Sequence, residues 1–325
     1  MRVRRLLPFL FFVWLGSLLG FSQQDPVPTS QSSAPASPSA NPASPAVSAS
    51  IPDLTPDANG RLSQQQMQDL FRVVAEKDRA NQKRQRDYTY IERDVQDKLD
   101  GKGETKSAEV KTYEILEIYG EQVQRLIQKD DKPLDAREAE KEEEKIQKII
   151  DKRKAESEGD RRKREEKEEK EREDGRKFVS EIADAYNFKL VGTELVDGRE
   201  AWVIDGEPRP GYEPEMKEAK FLPKFHGRVW IDKSDLQLSK MNVEAIDTVS
   251  VGWVLARIHK GSRFMLEQTR VNDEVWLPRH VTFKFDARVA LLKGYNIDGD
   301  QEFRDYKKFR TTSKIVGMGE AKDPQ

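Results

Sequence analysis

The run HGRVWIDKSDLQLSKMNV, residues 226–243, holds the side chains that invite a chemical reading, because His226, Asp232 and Asp235 lie close together in it. An imidazole beside a carboxylate can act as a general base, paired carboxylates can cleave a glycosidic bond, and both types bind metals. The setting favours a plainer role. Asp232 and Asp235 flank a turn, where an aspartate side chain bonds its own backbone. The three histidines, His226, His259 and His280, fall on separate expected strands or strand edges with no carboxylate at ligand spacing. A hydrolase would need His226 or His280 beside a carboxylate in a cleft. The nucleophile-elbow, zinc-helix and phosphate-loop patterns are all missing. There is no cysteine, which removes a thiolate nucleophile, a thiolate metal site, a disulfide framework and a lipid-modified cysteine. The reading is of a non-enzyme, with no catalytic residue, metal or cofactor.

Charge and composition narrow the partners. Of the 325 residues 36% are charged, so much of the chain is not core. The net charge is only −2, which leaves no field to draw in nucleic acid. Arg2, Arg4 and Arg5 precede an apolar run from Leu6 to Leu19, and Gly20-Phe21-Ser22 follows, so residues 1–22 read as a signal peptide cut before Gln23. The competing reading, an uncleaved anchor, asks for about 20 apolar residues where the run has about 14. No other segment is apolar enough to cross a membrane, which places the mature chain in the periplasm with no transmembrane segment. Residues 23–57, rich in Pro, Ser and Ala without periodicity, read as a disordered linker, either a spacer across the envelope or a tolerated tether.

The elements that must position any site come next. Leu62, Met67, Leu70, Phe71, Val74 and Ala75 mark an amphipathic helix over Leu62–Arg86. From Tyr88 the period becomes two, giving three strands that end at Asp130-Asp131-Lys132-Pro133. Residues 134–177 then form a charged helical insertion, in which Glu144 to Lys148 and Glu166 to Lys170 are acid-before-base pairs at i,i+4. Gly159 invites a kink or hairpin there. The insertion is either an arm for an envelope protein partner, through 137–177, or an expanded loop with a solvated face. Phe178, Ile182, Ala185 and Tyr186 start a second amphipathic helix, and Asp197-Gly198 marks a hairpin because its turn needs positive φ. Residues 206–224 form a long loop with four prolines, and beyond Phe225 strands dominate. The order gives an α+β fold, a curved antiparallel sheet of about ten or eleven strands with helices on one side.

Large apolar side chains then stand out. Trp202, Trp230, Trp253 and Trp276 sit within strands, joined by Tyr88, Tyr90, Tyr113, Ile115, Met265, Phe283 and Phe285. Most would pack helices onto the sheet. So many strands with only two amphipathic helices nevertheless leave an apolar face that closes into a hollow or holds a ligand.

Gly227-Arg228-Val229-Trp230-Ile231-Asp232-Lys233 with its following strand, and Asn272-Asp273-Glu274-Val275-Trp276-Leu277-Pro278 leading a later one, resemble the outer-membrane lipoprotein-sorting (LolA/LolB-like) superfamily. The helix leading into YTYIERDV agrees in order. The resemblance covers about residues 60–132 and 178–312, within a domain expected over 58–133 and 178–312, leaving 313–325 as a tail. It implies an unclosed half β-barrel with helices as a lid and an apolar cavity that takes lipid acyl chains or lipoproteins in the periplasm. Tyr90, Ile115, Trp202, Trp230, Met265, Trp276, Phe283 and Phe285 are the expected cavity residues. The chain departs from the pattern in its charged insertion, and no single arginine matches the lid-holding one of the carriers. The leading expectation is a lipid or acyl-chain carrier, and the alternative is an envelope scaffold acting through the charged helix.

Overall fold

Turn chemistry and period-two alternation account for most of the chain path. The computed structural model describes residues 52–308 apart from residues 101, 120, 252–255 and 290–292. In chain order, β1 (Arg61–Leu62) leads to helix α1 (Gln64–Gln85), β2 (Tyr88–Leu99), β3 (Thr105–Ile118), β4 (Glu121–Lys129) and β5 (Lys132–Pro133). Helices α2 (Ala136–Lys154) and α3 (Glu158–Ala185) follow. The chain then runs through β6 (Tyr186–Val196), β7 (Arg199–Pro208), β8 (Phe225–Asp232), β9 (Leu238–Ala245), β10 (Val249–Val251) and β11 (Ala256–Ile258). It finishes with β12 (Arg263–Val271), β13 (Val275–Val289) and β14 (Lys293–Lys308).

All fourteen strands belong to one antiparallel sheet, ordered β1-β6-β7-β8-β9-β12-β13-β14-β2-β3-β4-β5, with β11 on β13 and β10 on β11. The first and last strands of that order do not pair, so the sheet is open. Bulges, among them those at Leu190/Gly192, Trp230/Ile231 and Glu267/Gln268, bend and twist it. Asp197 and Gly198 take φ of 50° and 77°, and Asn272 and Asp273 take 50° and 55°, the left-handed pairs that two-residue hairpins need. Ten or eleven strands were expected from the sequence. The difference lies in β1 and β5, whose two residues are too short to alternate, and in residues 251–260, read as a single strand, where β10 ends and β11 lies.

Helix α1 begins where Ser63 and Gln66 cap one another: the Gln66 N–H donates to Ser63 Oγ and the Ser63 N–H to Gln66 Oε1. Its apolar stripe, with Phe178 and Ile182 of α3, packs on Tyr186, Phe188, Ile204 and Ile231 of β6–β8. Leu54, within the stretch read as linker, is buried in the same core. At the far end of α1, Asn81 and Gln85 substitute for a neighbouring strand. Asn81 Nδ2 and Gln85 Nε2 each donate to the Trp276 carbonyl at 2.8 Å, and the Trp276 N–H donates to Asn81 Oδ1 at 2.7 Å.

The charged insertion breaks at Ala155–Ser157 and not at Gly159, because Ser157 caps a new helix through the Asp160 N–H and leaves Gly159 in its first turn. From there α3 runs unbroken, so the charged stretch and the second amphipathic helix are one helix. Helix α2 lies along the outer edge of β4. There Glu142 Oε2 accepts the Leu126 N–H at 3.3 Å, and Lys145 Nζ donates to the Gln124 carbonyl at 3.0 Å. Among the described residues no helix is long and apolar enough to cross a membrane. The expected signal at 1–22, residues 23–51 of the linker, the tail at 313–325 and Trp253 lie outside the described residues.

Candidate ligand-binding face

Directly paired residues of a sheet share a face, so the register sorts the side chains without ambiguity. Starting from Ile231 and Val229 beneath the helices, the same face carries Leu238 and Met241 of β9, then Leu266 and Phe264 of β12. It continues through Val281, Phe283 and Phe285 of β13 to Ile297, Gly299 and Gln301 of β14. Glu92 and Asp94 follow on β2, opposite Phe303 and Gln301, and Tyr90 stands opposite Ile115 of β3.

Helices α1 and α3 cover the β6–β9 half of this face. The next cluster, Phe264, Leu266, Val281, Phe283 and Phe285 with Met241, Ile297 and Phe303 against it, is drawn from strands alone. Phe283 and Phe285 stack with centroids 5.4 Å apart. The Phe283 ring lies over Gly299 so closely that a Cβ there would overlap it, which is why this cross-strand position is glycine. Tyr90 meets Phe303 edge-on at 6.0 Å and extends the aromatic surface to β2.

The eight residues expected to line one cavity divide between two faces. Tyr90, Ile115, Trp202, Phe283 and Phe285 lie on the helix side, with Trp202 packed against the core beneath α1 and α3. Trp230 and Met265 lie on the outer side, and Trp276, past the bulge at Glu267/Gln268, pairs with Arg270 at the hairpin end. The correction follows from Val229-Trp230-Ile231, apolar on both parities, which hides the alternation that would have assigned Trp230. Trp230 packs on Val196, Ala201 and Val203, donates from Nε1 to Glu194 at 2.8 Å and lies 5.3 Å below Lys240 Nζ. Trp276 donates to Asp235 at 2.9 Å under the Arg199 guanidinium.

The carboxylates singled out at the start hold that outer face together. Asp232, 1% exposed, takes a bidentate pair from Arg199 at 2.7 and 2.9 Å and accepts the Ser234 and Asp235 N–H groups. Asp235 receives Arg270 at 2.8 Å. They are turn and clamp residues. His226 faces Glu207 and Glu244 on the outer side, and His280 meets Asp300 at 3.0 Å with both side chains a third or more exposed, in no cleft. Among the described residues no three His, Cys, Asp or Glu side chains are placed to hold a metal.

The helix-side face also has a polar end that sequence reasoning missed. Glu92 is 4% exposed, Asp94 8% and Gln301 6%. Gln124 Nε2 donates to Glu92 Oε2 at 3.1 Å, Gln301 Nε2 to Glu92 Oε1 at 3.4 Å, and Gln96 Nε2 to Asp94 Oδ2 at 2.8 Å. Asp94 Oδ1 and Gln301 Oε1 have no partner. Burial, reinforced by the charge of Asp94, pushes the Glu92 carboxyl up to about 7, and burial pushes Asp94 up to about 6. Burial also holds the Tyr113 phenol well above its usual range. The signal was present in YTYIERDVQ, where the parity of Tyr88 and Tyr90 runs on into Glu92 and Asp94.

With this geometry in view the chain can be set beside known proteins. No family model and no curated protein matches it. Its fold is similar to solved structures of the lipoprotein-sorting kind. One is an outer membrane lipoprotein-sorting protein domain from Vibrio parahaemolyticus, 11% identical, covering 75% of this chain and 94% of that one, with a TM-score of 0.32. Another is a LolA superfamily protein from Nitrosomonas europaea, 9% identical, covering 77% and 97%, with a TM-score of 0.30. The Pseudomonas aeruginosa MucA/MucB complex also matches, at 10% identity over 73% of this chain and 94% of that one, with a TM-score of 0.21. At these scores the likenesses lend no weight to the functional reading below.

Proposed function

We propose that this chain is a non-enzymatic periplasmic carrier that holds the acyl chains of a lipid or lipoprotein against the helix-side face of its open sheet. One observation supports the reading: the apolar cluster on β9 and β12–β14 is built from strands alone, while α1 and α3 cover only the neighbouring half. An acyl chain laid over Phe283, Phe285 and Phe303 gains about 0.8 kcal/mol per buried CH₂, so about 10 kcal/mol for twelve carbons. Association and ordering costs of about 4 kcal/mol or more leave about 6 kcal/mol at most, an affinity of tens of micromolar or weaker. The helices act as the lid that shifts to admit the chain.

The test is titration of the delipidated full chain with a pyrene-labelled long-chain alcohol. Saturable binding is expected, weakened by Phe285→Asp on the helix-side face and retained by Met265→Gln on the outer face. Non-saturable uptake, or equal loss in both variants, refutes the carrier.

A second reading, an envelope scaffold that meets a protein partner through 137–177, is favoured by the exposure of the described side chains of 158–174, Arg164 apart. Their charges are answered along the same helix, as in Arg161–Glu165 and Lys167–Glu171. A scaffold shows no saturable alcohol binding, so the same titration separates the two.

A further inference from the structure

The apolar face stops at a set of buried acceptors. The cross-strand row Val281–Gln301–Asp94 runs from β13 through β14 to β2, and Phe303 sits directly opposite Glu92. Hydrocarbon and carboxylate therefore meet on one face with no solvated strip between them. Glu92 and Asp94 form no salt bridge among the described residues. Lys111, opposite Asp94 across the sheet, acts on it through its charge without pairing and is ion-paired with Glu109 at 2.9 Å. Tyr113 of β3 faces the same region, with Glu142 of α2 beyond it.

What the cluster lacks is donors. The amides of Gln96, Gln124 and Gln301 supply one hydrogen bond each to the two carboxylates. Asp94 Oδ1 and Gln301 Oε1, on side chains more than nine-tenths buried, are left as bare acceptors. A buried acceptor without a donor costs about 1–3 kcal/mol, more if charged, so two acceptors on one spot of one face call for an explanation. Gln301 is the independent witness, because an orphaned amide oxygen cannot be relieved by protonation.

We propose that Glu92, Asp94 and Gln301 form the polar end of the acyl-chain site and take the primary ammonium of an amphiphile whose chain lies along Phe283, Phe285 and Phe303. An ammonium carries three N–H donors and no acceptor, which matches two orphan oxygens and a carboxylate. It brings a cation into direct contact with a cluster that has no ion pair, and a charge-assisted hydrogen bond is about twice as strong as a neutral one. A carboxylate or phosphate head meets like charge and bare acceptors there. Two strand spacings of about 4.8 Å separate β13 from β2, so head and chain are about 10 Å apart, within the reach of one alkyl chain.

The inference rests on the carrier reading, and the experiment keeps the two apart. The full chain is titrated calorimetrically at about pH 8 with dodecylamine, dodecanol and dodecanoate below their aggregation concentrations. The amine should bind at least about tenfold tighter than the alcohol, and dodecanoate weakest. In Glu92→Gln/Asp94→Asn the preference for amine over alcohol should vanish, while Asp300→Asn, a carboxylate on the outer face of the same strands, should keep it. Vesicles rich in phosphatidylethanolamine or in phosphatidylglycerol form a further arm: preferential binding to the former names an aminophospholipid as the source, and indifference names a free long-chain amine. Dodecanol binding without an amine preference, or a preference untouched by the double variant, overturns the ammonium site and leaves the carrier standing. Failure of all three ligands to bind overturns both.

Discussion

Replacing Glu92 by Gln should stabilise the protein at alkaline pH and do little at acid pH, a direction opposite to the loss of an ordinary ion-paired carboxylate. Burial raises the Glu92 carboxyl from 4.5 to about 7 in the folded chain. The folded state therefore holds the proton more tightly than the unfolded one. Stability is greatest below the unfolded value and is lost as pH rises toward the folded one. The loss attached to Glu92 is under about 1 kcal/mol at about pH 5 and about 3 kcal/mol at about pH 8, since each pKa unit corresponds to about 1.4 kcal/mol. Glu92→Gln removes this pH-dependent loss. Urea unfolding of wild type and variant, followed by tryptophan fluorescence at both pH values, measures the difference. Subtraction cancels carboxylates shifted the other way, such as Glu156 between Arg153 and Arg164. A stability difference that stays constant from about pH 5 to about pH 8 would refute the account of Glu92 as a buried acid carrying an unanswered charge.

Two further perturbations probe the sheet around this site. Gly299→Ala places a methyl into the Phe283 ring, so thermal unfolding should reveal a loss of about 1–3 kcal/mol, and a companion Phe283→Leu should recover part of it. Asp232→Ala leaves two turn N–H groups without their acceptor and the Arg199 guanidinium with Asp235 as its remaining partner; denaturant titration should give a loss of about 2 kcal/mol, with any acyl-chain binding by the remaining folded fraction intact.

Which parts of this were legible in the sequence depended on whether one residue could carry a signal alone. Asp197-Gly198 and Asn272-Asp273 announce their hairpins because few residues tolerate positive φ. Face assignment failed at Val229-Trp230-Ile231, where both sides of the sheet are buried and alternation vanishes. Around Phe283 and Phe285 the alternation stays readable because their strand neighbours, Thr282, Lys284 and Asp286, are polar. Glu92 and Asp94 were passed over because charge is taken as a mark of the solvated face, and only the continued parity from Tyr90 contradicts that. The docking of α2 on β4 was illegible in principle, because it rests on Glu142 and Lys145 reaching backbone atoms, and nothing distinguishes those two from the charged residues around them.

That docking has a consequence for assembly. A sheet that is open at both ends can be extended by a neighbour at each, and contact of one end with the opposite end of the next copy repeats into a fibre. Here β5 and the side chains of α2 occupy the β4 end, so strand-to-strand joining has only the β6 side to use and halts at a pair. The segment that reads as idle charge occupies backbone groups of β4 at which a further strand would pair. Excising 137–174 to look for a lost partner would also uncap that rim, and precipitation of the shortened chain would then report on the cap, not on any partner.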